Sequence, residues 1–492
     1  MKLSALLSQI SHLGVRGTVD RPVSGLAYDS RKVLADGLFV AIPGSKHDGF
    51  EYVEDAVKRG AGVIVSPHTR SPGRDVTHVQ VEDARVALAD LAREFYGNPS
   101  RALKVIGITG TNGKTTTAFM LRDSLEAAGL TPGLMGTVHY EIGARILPAT
   151  RTTPESLDVQ SYFDQMRHAG CHSAVMEVSS HALDQNRVRG IDFDVVVFTN
   201  LTRDHLDYHQ TMERYYEAKR RLFTSLGRSD KPGLAVINRD DPWGRRLAAE
   251  ADISAKVLTF GLDEGADVWA CDLVLGQAGS DFTVRSPWGE SRVHTPLLGR
   301  FNLQNALAAY AAARAMGLEE TPVLQGLARR TAVPGRLEEV YTARDWRVFV
   351  DYAHTDDALA NVLETLRGFT KNRLIVVFGC GGNRDQTKRA PMGAVAAQLA
   401  DLSILTSDNP RDEDPAAILA QVVAGFGDRS NYEVVEDRSK AIEMALIMAR
   451  DGDSVLIAGK GHEITQEVRG AYLVFDDRQV VRALLKKMEG GS

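Results

Sequence analysis

The sequence predicts an α/β protein of three domains, and three observations carry that prediction. The chain has 492 residues, which at about 150 residues per domain suggests roughly three folding units. Short apolar runs alternate with amphipathic helical patterns along most of its length, as expected for mostly parallel sheets covered by helices on both faces. Two turn-rich breaks, Tyr96-Gly-Asn-Pro-Ser100 and Val333-Pro-Gly335, divide it, so the expected domains are 1–100, 101–333 and 334–492.

In the first unit, Leu38 to Ile42 and Gly62 to Val65 read as short strands and Ala84 to Tyr96 as a helix. The second opens with the apolar run Val105-Ile-Gly-Ile108, a glycine-rich turn and an amphipathic helix from about Thr115 to Ala128. Buried strands are expected at Ala174 to Val178, Val195 to Phe198, Leu234 to Ile237 and Val257 to Phe260. The third unit has apolar runs at Val348 to Val350, Leu374 to Phe378, Leu402 to Leu405 and Ser454 to Ile457, with helical patterns between them, a doubly wound arrangement. Ligands in such folds sit at the carboxyl ends of the strands.

A hydrophobic content of 43% and a charged content of 25% allow sizeable cores. The net charge of −6 argues against a nucleic-acid or anionic-membrane surface as the main partner. Cys171, Cys271 and Cys380 are far apart and show no C-x-x-C spacing, which is neither a disulfide framework nor a zinc site and suits a reducing cytosol. Polar residues interrupt the N-terminal MKLSALLSQISHLG too early for a signal-peptide core. Ala306 to Ala315, with Tyr310 and Arg314 inside it, is too short to span a bilayer. A soluble cytoplasmic chain without membrane insertion is expected, working as a monomer.

The segment Gly107-Ile-Thr-Gly-Thr-Asn-Gly-Lys-Thr115 joins a hydrophobic strand to a helix. Small residues let the backbone wrap phosphate oxygens, and N–H groups at the helix N-terminus supply positive potential. Lys114 is placed for β/γ-phosphates and Thr115 or Thr116 for Mg²⁺. Position 108 is Ile where the strict P-loop pattern has Gly, but Gly110, Thr111, Asn112, Gly113, Lys114, Thr115 and Thr116 keep the strand–turn–helix context of an ATP site. An ordinary glycine-rich turn would need none of the lysine and hydroxyl chemistry.

This T-G-T-N-G-K-T-T segment resembles both Mur ligases and folylpolyglutamate synthases. Met176-Glu-Val-Ser-Ser-His181, Asn200-Leu-Thr-Arg-Asp-His-Leu-Asp207 and Gly299-Arg-Phe-Asn-Leu-Gln-Asn305 resemble central-domain signatures of the Mur ligase family. Val333-Pro-Gly-Arg336 and Asp351-Tyr-Ala-His354 resemble its junction into a third domain. Tyr28-Asp-Ser-Arg31 and Gly44-Ser-Lys-His-Asp-Gly49 are similar to uridine-nucleotide-binding segments of the diaminopimelate- and lysine-adding members. Folylpolyglutamate synthases lack a comparable domain ahead of the P-loop. The resemblance runs the length of the chain and implies three-domain Mur ligase architecture, with a central P-loop-type ATPase domain and a C-terminal Rossmann-like domain.

It also implies ATP-dependent ligation of meso-diaminopimelate to the D-glutamyl residue of UDP-N-acetylmuramoyl-L-alanyl-D-glutamate, through an acyl phosphate, with Mg²⁺. Asn305, Arg336 and His354 would approach the nucleotide, while Asp351 would orient its neighbours. Ser30, Ser45, Lys46, His47, Thr152, Thr153, Ser179, Gln185 and Arg187 would contact the UDP-peptide, the ordinary alternative for any of the last five being a helix cap or surface residue. Glu177 ends a strand and His205 sits in a turn. Both would serve Mg²⁺, the carboxylate being the harder ligand, or would simply form a polar pair at strand ends. Lys219, within Tyr215-Tyr-Glu-Ala-Lys-Arg-Arg-Leu-Phe223, lies in a helical pattern where a solvated face is the ordinary expectation. The resemblance instead implies N6-carboxylysine, a carbamate helping to hold metal, with Arg220 and Arg221 or desolvation lowering the amine's pKa.

Asp408-Asn-Pro-Arg411 follows the strand Leu402 to Leu405, with Glu413-Asp-Pro415 just after it. The resemblance assigns Asp408, Asn409, Pro410 and Arg411 to diaminopimelate, together with Arg384 in Gly381-Gly-Asn-Arg-Asp385 and with Gly459 and Glu463 in Gly459-Lys-Gly-His-Glu463. A lysine-adding member carries a different residue at the position of Arg411, and a nucleotide-binding regulator would need no such site.

Overall fold

A computed structural model of the chain describes residues 1–44, 47–70, 75–228 and 231–490. The first sheet has five strands in the order Gly14–Arg16, Thr77–Gln80, Ala61–Ser66, Gly37–Val40 and Leu26–Ala27. Its three inner strands are buried almost throughout, matching the continuous apolar runs of their sequence. The helix Ala84–Phe95 packs beside them. It starts where the Asp83 carboxylate accepts from the Arg85 and Val86 amides, satisfying two of the donors that a helix N-terminus leaves orphaned. The turn-rich stretch after it is docked rather than loose. Asn98 is left-handed, with a φ of 51°, and its Nδ2 donates to Asp192 at 3.0 Å.

The second sheet has eleven strands. Pro132–Met135, Ser173–Glu177, Lys104–Thr109, Val195–Phe198, Leu234–Asn238 and Lys256–Gly261 run parallel through its middle. Each matches an expected strand except Pro132–Met135. Both edges depart from the parallel expectation. One ends in Val268–Gly276, Gly279–Ser286 and Gly289–Thr295, the other in His139–Ile142 and Arg145–Pro148, all antiparallel to their neighbours within these edges. Such strands keep one face toward water, so Gly289–Thr295 alternates between buried and exposed and shows no apolar run to read. Lys114–Ala127 and Arg300–Ala315 cover one face, burying Phe119, Leu121, Leu303 and Leu307. Met212–Thr224 contributes to the other face, burying Tyr216, Leu222 and Phe223.

The third sheet runs in the order Glu338–Val340, Arg347–Asp351, Ser454–Ala458, Leu374–Phe378, Leu402–Leu405 and Tyr432–Val434. Only its first strand is antiparallel, so this doubly wound sheet follows the sequence expectation closely. The chain also forms a separate hairpin, Thr465–Val468 with Ala471–Val474.

Arg438 and Asp477 tie the third domain together from inside. Both side chains are fully buried, and the guanidinium donates two bonds to the carboxylate at 2.8 and 2.7 Å and a third to the Ala458 carbonyl at 3.0 Å. Removing one partner strands the other's charge in the core, a cost of about 3–5 kcal/mol. Asp477→Ala should therefore shift the urea unfolding midpoint down sharply, while an exposed ion pair such as Lys2–Asp20 should cost less than about 1 kcal/mol.

Hydrogen bonds join the units. Tyr28 donates to Asp158 at 2.5 Å, fastening the first sheet to the second. Asn112 Nδ2 donates to Asp357 at 2.9 Å and Arg203 to Asp356 at 2.8 Å, fastening the second to the third. Among the described residues no helix is long and apolar enough to cross a membrane.

Candidate active site

The turn 110–113 is held open by its neighbours. Thr111 N–H donates to the Asn200 carbonyl at 2.9 Å, and the Thr199 hydroxyl to the Asn112 carbonyl at 2.6 Å. Gly113 has a φ of 88°, and a side chain there would collide with Asn305 Oδ1. Glycine is thus required on both conformational and steric grounds. The helix Lys114–Ala127 begins without a side-chain cap, so the amides of its first turn remain for an anion. Lys114 Nζ donates to the carbonyls of Gly110 at 2.9 Å and Thr111 at 2.7 Å, and burial lowers its pKa.

Thr115 and Glu177 meet directly. Glu177 is buried at the end of its strand and accepts from the Thr115 hydroxyl at 3.0 Å, the Thr137 hydroxyl at 3.0 Å and the Thr137 amide at 2.8 Å. A hard carboxylate beside a hydroxyl at the phosphate turn is a donor set suited to Mg²⁺. Neither His205 nor Lys219 hydrogen-bonds to this pair among the described residues. His205 is left-handed, with a φ of 56°, and its amide donates to Asp204 at 2.8 Å. Desolvation, with His181, His354 and Lys219 nearby, holds its imidazole below the usual range despite the opposing Asp204. Asp204 is itself desolvated, yet His354 and His205 hold it well below an ordinary carboxylate. Among the described residues no three His, Cys, Asp or Glu side chains gather as a metal cluster.

Lys219 overturns the ordinary expectation for a lysine on a charged helix. It is 1% exposed, its Nζ donates to the Gly110 carbonyl at 2.8 Å, and it lies 4.7 Å from the Tyr215 ring centre. Burial, then repulsion from Lys114, places its pKa well below that of a free lysine. Arg220 and Arg221 play no part in this. Arg220 pairs with Asp252, and Arg221 with Asp184 at 3.1 Å.

A cavity of about 300 Å³ is lined by residues of the central and third domains, Asn112, Gly113, Asn305, Arg336 and His354 among them. Arg336 donates to the Thr115 hydroxyl at 3.1 Å, lies 4.6 Å from the Tyr352 ring centre and keeps a buried Nε without a partner among the described residues. That unpaired donor beside the phosphate turn suits an anionic nucleotide. Asp351 accepts from the amides of Leu337 at 2.5 Å and Ala353 at 2.7 Å. His354 sits 4.6 Å from Tyr352, ring to ring.

Several of the expected peptide contacts touch one another in the central domain. Thr153 donates to the Glu177 carbonyl at 2.8 Å, and the Thr152 and Thr137 hydroxyls lie 3.1 Å apart. Arg187 donates to the Thr153 carbonyl at 3.1 Å and to Gln185 at 2.6 Å. Ser179 caps the helix Ser180–Asp184 through the Ala182 amide. Ser30 is buried in the first domain and His47 is exposed there. Ser45 and Lys46 lie outside the described residues.

The third domain brings its predicted residues together at strand ends. Asn409 Nδ2 donates to Glu463 at 2.9 Å. A Cβ at Gly459 would come within 2.5 Å of Asp408 Oδ2, so the glycine admits the carboxylate. Pro410 is buried, and its carbonyl accepts from the Glu413 amide at 3.1 Å. Arg411 pairs with Glu467 at 2.8 Å, whereas Arg384 is exposed with no hydrogen bond or ion pair among the described residues.

Glu467 escaped the sequence reading, and Lys460 was read only as part of the segment Gly459-Lys-Gly-His-Glu463. Lys460 is fully buried and donates to Asn409 Oδ1 at 3.2 Å, Glu463 at 2.9 Å and the Thr465 carbonyl at 2.6 Å. A lysine between two glycines, immediately after a buried strand, was the available signal. Glu467 lies in a hairpin with no apolar pattern. Asp357 was also missed, because its partner Asn112 stands 245 positions away.

A glycine-rich strand–turn–helix that suits phosphate, beside a second α/β domain with a cluster of charged side chains at its strand ends, is the arrangement of an ATP-dependent ligase of three domains. Family models agree over three stretches: "Mur ligase family, catalytic domain" matches residues 22–96, "Mur ligase middle domain" 108–313 and "Mur ligase, glutamate ligase domain" 335–461. The chain belongs to the Mur ligase family, whose members use ATP to form amide bonds. A relative from Syntrophomonas wolfei subsp. wolfei, named UDP-N-acetylmuramoyl-L-alanyl-D-glutamate–2,6-diaminopimelate ligase, is 42% identical over 99% of both chains. One of the same name from Geobacillus kaustophilus is 45% identical over 99% of this chain and 100% of its own. A solved structure titled with that name is 34% identical, with a TM-score of 0.67 over 96% of this chain and 97% of that one.

Proposed function

We propose that the chain joins meso-diaminopimelate to the D-glutamyl carboxylate of UDP-N-acetylmuramoyl-L-alanyl-D-glutamate, a step in making peptidoglycan precursor. The observation that carries this reading is the charged cluster at Asp408–Arg411, where Asn409 donates to the Glu463 carboxylate and the Arg411 guanidinium is held by Glu467 just after a strand end. Diaminopimelate differs from lysine by a second carboxylate at its far end, and a planar guanidinium fork matches a carboxylate. Glu463 supplies the negative charge for the accompanying ammonium.

The reaction follows from the arrangement. The peptide carboxylate attacks the γ-phosphorus of ATP and ADP leaves, giving an acyl phosphate. The amine of the incoming amino acid then attacks the acyl carbon, a tetrahedral intermediate forms, and phosphate departs as the amide is made. Lys114 and the amides of residues 114–116 balance the phosphate charge, and Arg336 and His354 approach the nucleotide from the junction. Thr115, Glu177 and His205 would serve Mg²⁺, and Lys219 as a carbamate would help to hold a second ion. The ion, when bound, neutralises phosphate charge and polarises the transferred group. Lys219 would join as a carbamate, its neutral amine attacking CO₂ and losing a proton to become an anion. Thr152, Thr153, Ser179, Gln185 and Arg187 would position the peptide, and Ser30 and His47 the uridine end. Residues 1–100, 101–333 and 334–492 serve as substrate, ATP and amino-acid domains of a monomeric cytoplasmic enzyme.

Arg411→Ala tests the reading. Lysine entering the wild-type site leaves Arg411 without its substrate partner, a penalty of about 2–5 kcal/mol. At about 1.4 kcal/mol per tenfold, this amounts to a preference of roughly 30-fold to several thousand-fold. The variant should lose most of that preference, mainly by losing activity toward diaminopimelate. Competition kinetics with both amino acids measures it, and an unchanged ratio would place selection elsewhere.

A further inference from the structure

The turn that carries Arg411 is gripped along its length by the hairpin Thr465–Val474. Gln466 Nε2 donates to the Asp408 carbonyl at 2.7 Å, and the Glu467 amide donates to Asn409 Oδ1 at 2.9 Å. The Arg411 amide donates to the Glu467 carbonyl at 3.1 Å, and the Arg469 amide to the Arg411 carbonyl at 2.8 Å. These two backbone bonds hold Arg411 at a φ of 53°, a left-handed conformation that a non-glycine residue adopts only when its surroundings impose it. The side chain is held as well. Arg411 Nε donates to Glu467 Oε2 at 2.8 Å and Nη1 to the Gly382 carbonyl at 2.8 Å.

A guanidinium has five N–H donors. With Nε committed to Glu467 and one Nη1 hydrogen to Gly382, the remaining Nη1 hydrogen and both Nη2 hydrogens have no partner among the described residues and are left for a substrate. We propose that Glu467 is a specificity-determining positioning residue, fixing the guanidinium so that Arg411 reads the far carboxylate of the amino-acid substrate through its outer Nη edge. The inference rests on the diaminopimelate reading. Glu467 balances the partly buried cation, limiting the cost of holding it poised. It also removes the freedom of a long side chain before the substrate arrives, the way preorganisation raises affinity. Without it the fork turns among several orientations, and the advantage of the second carboxylate shrinks.

The test is steady-state kinetics on full-length Glu467→Ala and Glu467→Gln, varying ATP, UDP-dipeptide, diaminopimelate and lysine in turn. Glu467→Ala should raise KM for diaminopimelate about tenfold or more and lower the preference over lysine by a similar factor, while the KM values of the other two substrates stay at wild-type levels. Glu467→Gln keeps an oxygen acceptor for Nε without the charge, and should fall between. A wild-type preference in folded Glu467→Ala overturns the inference, and so does a parallel loss for all three substrates, which marks a merely structural role. If Glu467→Ala does not fold, Glu467→Gln decides by the same readouts. A wild-type enzyme that does not turn over diaminopimelate overturns the functional reading and this inference together. One that does, paired with an Ala variant of unchanged preference, overturns this inference alone.

Discussion

Lys219→Ala is expected to be nearly inactive and to regain part of its turnover when a short carboxylic acid such as acetate is added. The lysine sits 1% exposed against the phosphate turn, with its Nζ on the Gly110 carbonyl that also receives Lys114. Two ammonium groups on one buried carbonyl repel each other, and desolvation disfavours charge on either. The pKa of Lys219 falls well below the ordinary lysine value of 10.5 in consequence. The sign follows directly: a lowered pKa leaves more neutral amine near neutral pH, and only neutral amine attacks CO₂. The anion so formed would sit where the alanine variant leaves room, which is why a carboxylate should substitute for it. Losing one preorganised charged group at a reacting phosphate costs about 10²–10³ in rate. Phosphate release within a few-fold of wild type from a folded variant would sink this role. So would wild-type activity that is indifferent to removal of dissolved CO₂ and bicarbonate.

Lys114→Ala should depress turnover by about 10²–10⁴-fold, equivalent to roughly 3–5 kcal/mol of transition-state stabilisation. Its ammonium is held by the carbonyls of Gly110 and Thr111 within the same turn, so it is already placed where terminal phosphates meet the helix N-terminus. The alanine side chain removes a cation from a partly buried site, and no other described lysine shares these contacts except Lys219 at Gly110. Because Lys114 repels Lys219, its removal should also raise the pKa of the second lysine. The carbamate would then require higher pH, so residual activity should rise more steeply with pH than in the wild type. Single-turnover phosphate release across pH, with circular dichroism to confirm the fold, checks both. Near-normal release from a folded variant refutes the assignment.

Much of the architecture was legible because it is local. Strands such as Val195–Phe198, Leu374–Phe378 and Leu402–Leu405 are buried on both faces, so each declares itself as an unbroken apolar run. The phosphate turn was legible for the same reason: strand, glycines, lysine and helix are contiguous, and their chemistry needs no distant partner. The edge hairpins were not legible, since strands with one wet face carry only a faint alternation.

Sequence alone determined the three α/β units, the phosphate turn, and which strand ends carry charged groups. Tertiary structure decided what those groups experience. Helical periodicity around Lys219 describes a face but not what covers it. The cover comes from Gly110, which is 109 positions away. Lys460 and Glu467 reach Asn409 and Arg411 across 51 and 56 positions, and Asp357 closes on Asn112 across 245. Desolvation and ion pairing depend on distance in space, and both change a side chain's chemistry by orders of magnitude. A periodic pattern in sequence reports neither. Whether a given lysine is a solvated charge or a buried amine is therefore settled only when the sheets have packed.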